Sequence, residues 1–413
     1  NIQKGCISDK QKKKKNQEVM FEVFSSKYRI ATIYSLIWSL YYLQGLLYPE
    51  GIIAQLFLLV FLLISLYYAY SLNREFKLSP FMKSVNWLVI LFGVYGLIRI
   101  IFPNTDGWLR TNDSTTYFKE YVVSILPIYT FYYLSRKGKV TEDWFYHFVW
   151  VFLLVAILQF YRESIFRLSE VLTDQGGVTN NSGYIFMSII PCAIFLRRMP
   201  LYQFLFIIIS VIFVIAGMKR GAILISAISI AFLLPGIVKT KHGRQKIWVM
   251  LLIIITLVAG YYYVVNIVMQ DQYFQFRLER TLEGDASNRE DMYPMYFNFF
   301  FNQSSILSII FGNGADGTLH YMGDFAHNDW LELLINQGLL GILLYITYWY
   351  RGYKVFKFVK QNNCIELALL IGLILMSYFA KSFISMSING MALCATSAIG
   401  YALAKTDEIK KLS

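Results

Sequence analysis

Charge is scarce in this chain: Asp, Glu, Lys and Arg make up 15% of its 413 residues, where soluble domains carry about 25%. With 56% hydrophobic and 17% aromatic residues, a water-soluble globular domain is excluded and the apolar content belongs in a bilayer. The four cysteines, Cys6, Cys192, Cys364 and Cys394, lack the spacing of a metal site or redox pair, and three lie in or beside apolar segments, which argues against disulfide or metal chemistry. Residues 1–29 hold the run Lys12-Lys13-Lys14-Lys15 but no apolar stretch long enough for a signal-peptide core. They read as a basic cytoplasmic tail. Ionisable groups are nearly absent from the middle of the apolar runs, where a proton- or sodium-driven transporter keeps them. Glu120, Glu366 and Lys381 fall near predicted span ends, His147 near the predicted inner face and Arg99 near an outer end.

What is present is a series of apolar runs, each close to the roughly 20 residues that cross a hydrocarbon core as helix. They fall near 30–48, 51–72, 85–103, 119–135, 143–161, 182–197, 201–217, 221–238, 247–266, 329–350, 365–383 and 387–404. The expected fold is therefore an all-α polytopic membrane protein of about twelve transmembrane helices. Its parts are a cytoplasmic tail (1–29), nine spans (30–266), a large external loop (267–328), three spans (329–404) and a short cytoplasmic tail (405–413). The net charge of +12 would suggest nucleic acid in a soluble protein. Here its distribution points to orientation instead, because basic residues gather in cytoplasmic loops. With the amino terminus inside, the groups Arg74/Lys77/Lys83, Arg136/Lys137/Lys139, Arg197/Arg198, Lys239/Lys241/Arg244/Lys246 and Arg351/Lys354/Lys357/Lys360 all face the cytoplasm. Counting both tails, 27 of the 38 basic residues lie inside.

The external loops 104–118, 162–181 and 267–328 are long, and loops of such length are commonly functional. The last contains the aromatic stretch Asp291-Met292-Tyr293-Pro294-Met295-Tyr296-Phe297, suited to a short helix at the membrane interface. Ahead of it Ser287-Asn288-Arg289-Glu290 has the form of a capping box, which would set Arg289 in the first turn of that helix. Arg110, Arg162, Arg167, Lys219, Arg220, Arg277, Arg280 and Arg289 stand on the side that should be poor in cations. They ask for an anionic partner, whether lipid headgroups, the carboxylates Glu279, Glu283, Asp285 and Glu290, or a bound phosphate. Lys219-Arg220-Gly221 separates two apolar runs by a tight turn at the outer surface. The planar fork of Arg220 fits diphosphate oxygens, and the same residue could equally anchor the helix by snorkelling.

His327-Asn328-Asp329-Trp330-Leu331-Glu332-Leu333-Leu334 ends the large loop and begins a span. Asp329 is expected at the helix cap, with Glu332 three residues on in the capping-box position. His327 would then lie just outside the positive end of a helix, a field that favours neutral imidazole. Beside an arginine cluster such a histidine can serve as general base for a hydroxyl nucleophile. A histidine hydrogen-bonded in the turn before a helix is the plainer alternative, and one residue does not decide between them.

In order along the chain, Lys219-Arg220-Gly221-Ala222, then Ser287-Asn288-Arg289 with Phe311-Gly312-Asn313-Gly314, then His327-Asn328-x-x-Leu331-Glu332-Leu333 with Gly338-Leu339-x-Gly341 resemble the bacterial O-antigen polymerase and O-antigen ligase superfamily. Lys219 stands where that family commonly has Ser, and residues before 217 resemble it in topology alone. The resemblance implies a C-type membrane glycosyltransferase of the bacterial inner membrane, with both termini cytoplasmic and a periplasmic active site. Its substrates would be undecaprenyl-diphosphate-linked glycans, as donor and as acceptor, with a chain-length regulator as a further partner and neither cofactor nor metal. Carried over, Arg220 and Arg289 match the family's phosphate-binding arginines and His327 its essential histidine. Lys219, Arg277 and Arg280 join the diphosphate-binding set by proximity.

The polymerase reading is preferred, because donor and acceptor share one carrier and the outer loops show no extra module for a lipid A-core. The ligase, which moves the glycan to lipid A-core, is the alternative. A flippase or transporter of lipid-linked sugars is more remote, since the spans offer little for a charged central cavity. No Asp-x-Asp motif of nucleotide-sugar enzymes occurs in the outer loops, which suits a lipid-linked donor.

Overall fold

The computed structural model describes residues 25–47, 51–102, 117, 121–122, 124–171, 181–239, 243–266, 268–270, 275, 279, 289–303, 305–323, 325–387 and 392–412. All regular structure among them is helical. In chain order the helices are α1 (Arg29–Leu47), α2 (Ile52–Glu75), α3 (Pro80–Ile101), α4 (Pro127–Arg136), α5 (Glu142–Val171) and α6 (Gly183–Ile189), the last continued by 3-10 turns over Ile190–Leu196. They are followed by α7 (Pro200–Ala216), α8 (Arg220–Lys239), α9 (Gly243–Asn266), α10 (Arg289–Asn298), α11 (Ile306–Phe311), α12 (Gly317–Met322), α13 (Asp329–Gln361), α14 (Ile365–Ile384) and α15 (Leu393–Leu412).

Six helices among the described residues, α2, α3, α5, α8, α13 and α14, are long and apolar enough to cross a membrane. Helix α6 with its 3-10 extension and helix α7 are apolar but shorter. Each of the twelve apolar runs read from the sequence holds helix, at bounds that shift by several residues. The chain thus has the build of a polytopic membrane protein. Only 22% of the most apolar stretch of α2 is buried inside the protein, and Ile52, Ile53, Leu56 and Leu63 lie exposed on it. Apolar surface of that extent is stable against lipid and not against water.

Within lipid the hydrophobic effect does not draw helices together, so close approach of small residues does much of the work. Gly400 on α15 shows this against α4: a Cβ there would come within 2.7 Å of the Ile128 carbonyl oxygen and 2.8 Å of the Tyr132 nitrogen. Ala395, Ala398 and Ala402 are buried in the same stretch of α15. Aromatic rings fill the wider gaps, with Trp144 stacked on Phe148 at 4.4 Å and Phe145 on Phe195 at 4.1 Å. Helix starts follow local rules. Ser79 accepts from the Met82 nitrogen and Pro80 takes the first helical position of α3, and Glu142 and Asp143 occupy the first turn of α5.

At one end of the bundle ion pairs tie helix termini together. Arg136 meets Asp407 at 3.0 Å, Lys137 meets Glu75 at 2.7 Å, and Arg197 meets Glu142 at 2.7 Å and also Glu366. Arg198 pairs with Asp143. The basic partners all come from loops that the sequence assigns to the cytoplasm. The candidate site lies at the other end.

Two bounds differ from the sequence reading in ways that matter. Helix α5 runs on to Val171, into the segment read as external loop from 162. Helix α13 reaches Gln361 and is broken at Gly338, whose φ of 64° and ψ of −157° are not helical. The apolar run 329–350 hides that break because its hydropathy continues through it.

Candidate functional site

The site is organised by the start of α13. Asn328, not Asp329, caps this helix: its side-chain oxygen accepts from the Trp330 nitrogen at 2.9 Å and the Leu331 nitrogen at 3.3 Å. The expected cap is thus displaced by one residue. Asp329 is the first helical residue, and burial turns its carboxylate to other donors. It accepts from the Ser387 nitrogen at 2.8 Å, the Tyr345 hydroxyl at 2.7 Å and the Ser387 hydroxyl. Glu332 likewise does not close a capping box onto Asn328. Its carboxylate reaches two residues further back, accepting from the Ala326 nitrogen at 2.5 Å, and holds the Thr318 hydroxyl at 2.6 Å and the Asn336 amide at 3.1 Å.

Both carboxylates are therefore structural supports, and between them they fix the backbone on either side of His327. Ala326 is fully buried and Asn328 is buried, while His327 between them is exposed. Its φ of 50° lies in the left-handed region, uncommon for residues other than Gly, although His, like Asn and Asp, enters it more often than the rest. A non-glycine residue holds that conformation only where its surroundings determine it. Here they do, and the imidazole is presented outward from a pinned turn.

The break in α13 is closed by the segment after α11. A break frees carbonyls that would otherwise accept within the helix, and in a membrane protein these must find other donors. The Ile335 carbonyl takes the Asn313 nitrogen at 2.8 Å and the Asn313 side-chain amide at 3.2 Å, and the Asn336 carbonyl takes the Gly314 nitrogen at 3.0 Å. Gly312 and Gly338, with φ of 78° and 64°, face each other across this contact. A Cβ on Gly312 would lie 2.3 Å from the Asn336 carbonyl group, and one on Gly338 would lie 2.5 Å from the Gly312 nitrogen. No side chain fits at either position. Asn336 also accepts from the Thr318 nitrogen at 3.0 Å, and Gln337 donates to the Tyr117 hydroxyl.

Helix α3 braces the same loop. Arg99 lies 3.5 Å from Asp316 with both side chains nearly buried, and Tyr95 donates to the Phe311 carbonyl. Burial raises the Asp316 carboxyl above its ordinary range, and the Arg99 charge opposes that rise.

The second motif approaches from α8, which begins at Arg220 after a turn in which Met218 takes a φ of 50°. Gly221 is packed against α6 and α14: a Cβ there would come within 2.7 Å of the Tyr184 hydroxyl and 2.5 Å of Ile384. The His327 motif reaches the same end of α14, where Asn328 donates to the Phe383 carbonyl at 3.1 Å and the Trp330 indole to the Ser382 hydroxyl at 3.0 Å. The two pieces, distant in sequence, thus rest on consecutive residues, Phe383 and Ile384. Lys219 and Arg220 are half-buried there. The buried Lys381 stands with its ammonium 5.0 Å from the centre of the Tyr184 ring. Glu163 secures the start of α6 by accepting from the Asn181 and Ser182 nitrogens at 2.8 and 3.0 Å.

The third piece is represented by backbone. Arg289 is the first residue of α10, in the first turn as the sequence suggests, and Tyr296 and Phe300 seat this segment against Ala326, Leu331 and Ile335. Arg277, Arg280 and Ser287, and the side chain of Arg289, lie outside the described residues. Among the described residues no group of three or more His, Cys, Asp or Glu is placed to hold a metal ion.

Sequence reading missed Thr318, Asn336 and the pairing of Arg99 with Asp316, and marked Lys381 only as a charge near a span end. The pairing of Gly312-x-Gly314 with Gly338 could have been suspected from glycines at a span already marked by a motif. The others carry no local signal. No protein-family model and no curated protein matches the chain.

Proposed function

We propose that this chain is an integral membrane glycosyltransferase that polymerises oligosaccharide repeat units carried on undecaprenyl diphosphate, working at the outer face of the bacterial inner membrane. The observation that supports this most is the meeting of the Arg220 and His327 segments on Phe383 and Ile384. It joins a cationic helix start to an outward-facing imidazole at the end of the bundle opposite the ion-paired termini. Orientation with both termini cytoplasmic and twelve crossings belongs to the same proposal, supported by the cationic loops gathered at the ion-paired end.

In this mechanism His327 accepts the proton of an acceptor sugar hydroxyl as that oxygen attacks the anomeric carbon of the donor. The bond from that carbon to the diphosphate breaks, and the configuration inverts. Arg220 and Arg289, with Lys219 nearby, neutralise the charge that grows on the departing diphosphate. Fixed donors aimed at developing charge are often the largest contribution to catalysis. Glu332, Asp329 and Asn328 touch none of the reacting atoms; they set the turn that presents His327.

Deletion of the gene, followed by electrophoresis of surface glycan, tests the reaction. The proposal expects single repeat units on the acceptor in place of a ladder. A bare lipid A-core would instead assign the ligase reaction, and an unchanged ladder would remove both.

A further inference from the structure

Helices α8, α13 and α14 enclose a cleft of about 920 Å³, whose inner wall at Phe379 meets the Trp330 and Phe383 rings beneath the candidate site at 6.3 and 5.2 Å. Its walls are apolar, formed by Pro235, Gly236, Trp349, Phe356, Leu369 and Phe379 among others, and both Lys239 and Lys360 stand at one end. That end is fixed by the fold. Lys239 is the last residue of α8, Lys360 lies in the last turn of α13, and Ile365 at the start of α14 joins them. Glu366 beside it is engaged by Arg197, so this is the ion-paired end of the bundle. Phe232, Tyr350 and Tyr353 are exposed along the rim, and the cleft opens sideways.

We propose that this cleft binds an anionic phospholipid of the cytoplasmic leaflet, its phosphate held by Lys239 and Lys360 and its acyl chains lying along Trp349 and Phe379. Depth supports this occupant. Lys360 to Trp349 is eleven residues of helix, roughly 16 Å at 1.5 Å per residue, which is about half of a 30 Å hydrocarbon core. A lipid with its phosphate at the lysines would therefore end its chains near the bilayer midplane, at the level of Trp349, while along α14 the cleft continues to Phe379, roughly 21 Å from Ile365. Charge supports it as well, since basic pockets between helices on the cytoplasmic side suit anionic headgroups. Such binding requires that these helices cross a bilayer with the ion-paired end in the cytoplasm, the orientation proposed above, and does not depend on the reaction at the other end.

The test uses the full chain in phosphatidylcholine vesicles containing a minor fraction of dibrominated phosphatidylglycerol or dibrominated phosphatidylcholine. The signal is the part of the tryptophan emission lost on Trp349→Phe substitution. Brominated phosphatidylglycerol should quench that part with a preference of about fivefold per lysine, and the preference should vanish in the Lys239→Gln, Lys360→Gln double variant. Native mass spectrometry of the unaltered chain and the double variant gives a second measure, the double variant retaining less phosphatidylglycerol. Equal quenching by the two lipids, or a preference and retention that survive the double substitution, would overturn the proposal. Displacement of the quencher by a polyprenyl diphosphate would do so too, assigning the cleft to a substrate tail.

Discussion

Glu332 accepts a hydrogen bond from the backbone nitrogen of Ala326 at 2.5 Å, so a carboxylate in the first turn of α13 fixes the residue immediately before His327. The same carboxylate holds Thr318 and Asn336. One side chain thereby binds the end of the external loop, helix α12 and the residues before the Gly338 break into one unit. Glu332→Ala would leave the buried Ala326 nitrogen and Thr318 hydroxyl without their acceptor. At roughly 1–3 kcal/mol for each unsatisfied group, thermal unfolding in detergent should show a loss of several degrees. Glu332→Gln, which keeps shape and part of the acceptor set, should lose less. Equal stability of the alanine variant and the unaltered protein would contradict this role.

The glycine pair at the break makes a second expectation. Gly312→Ala and Gly338→Ala each force a Cβ into backbone and hold alanine at positive φ with ψ near 180°, a region essentially confined to glycine, at a cost of about 1–3 kcal/mol. Amide exchange at Asn313 and Gly314 should speed up in both variants, because their bonds to the Ile335 and Asn336 carbonyls are what the added methyl displaces. Alanine at Gly138, with positive φ but nothing within 4 Å, serves as a control that should leave those two amides unchanged.

Asp316 sets a pH dependence. Burial raises its folded value while Arg99 opposes the rise, so the folded state holds the proton more firmly than the unfolded one. The resulting stability is fully present below the ordinary value of 3.8 and is lost as pH rises through the folded value. The stability of the unaltered protein, measured against Asp316→Asn, should therefore fall over that window. A parallel pH profile for the two proteins would contradict the assignment.

Arg220 is expected to act by its fork as well as its charge. Arg220→Ala should lower glycan polymerisation by about 100-fold, the scale of losing one preorganised donor, and Arg220→Lys should recover only part of it. Full activity of the lysine variant would reduce the contribution to charge alone.

Helix positions were readable in the sequence because long apolar runs bounded by charge are dictated by bilayer thickness. The order of Arg220, Arg289 and His327 was readable for the separate reason that each sits in a short local pattern. What the sequence could not disclose depends on long-range contacts. Asn328 takes the cap because Asp329 is drawn to Ser387 and Tyr345, and neither partner is near it in the chain. The break at Gly338 needs the Gly312–Gly314 strip to satisfy its carbonyls, a relation that hydropathy does not record. Lys381 was visible only as a charge near a span end, with nothing local to mark its place beside Tyr184.

The most direct test of the central claim is glycan polymerisation in a deletion strain carrying His327→Ala, with the amount of membrane-inserted protein measured in parallel. Loss of a general base costs on the order of 10²–10⁴ in rate, so the account predicts single repeats and no ladder at normal protein level. A ladder of ordinary length and yield from that strain would contradict it.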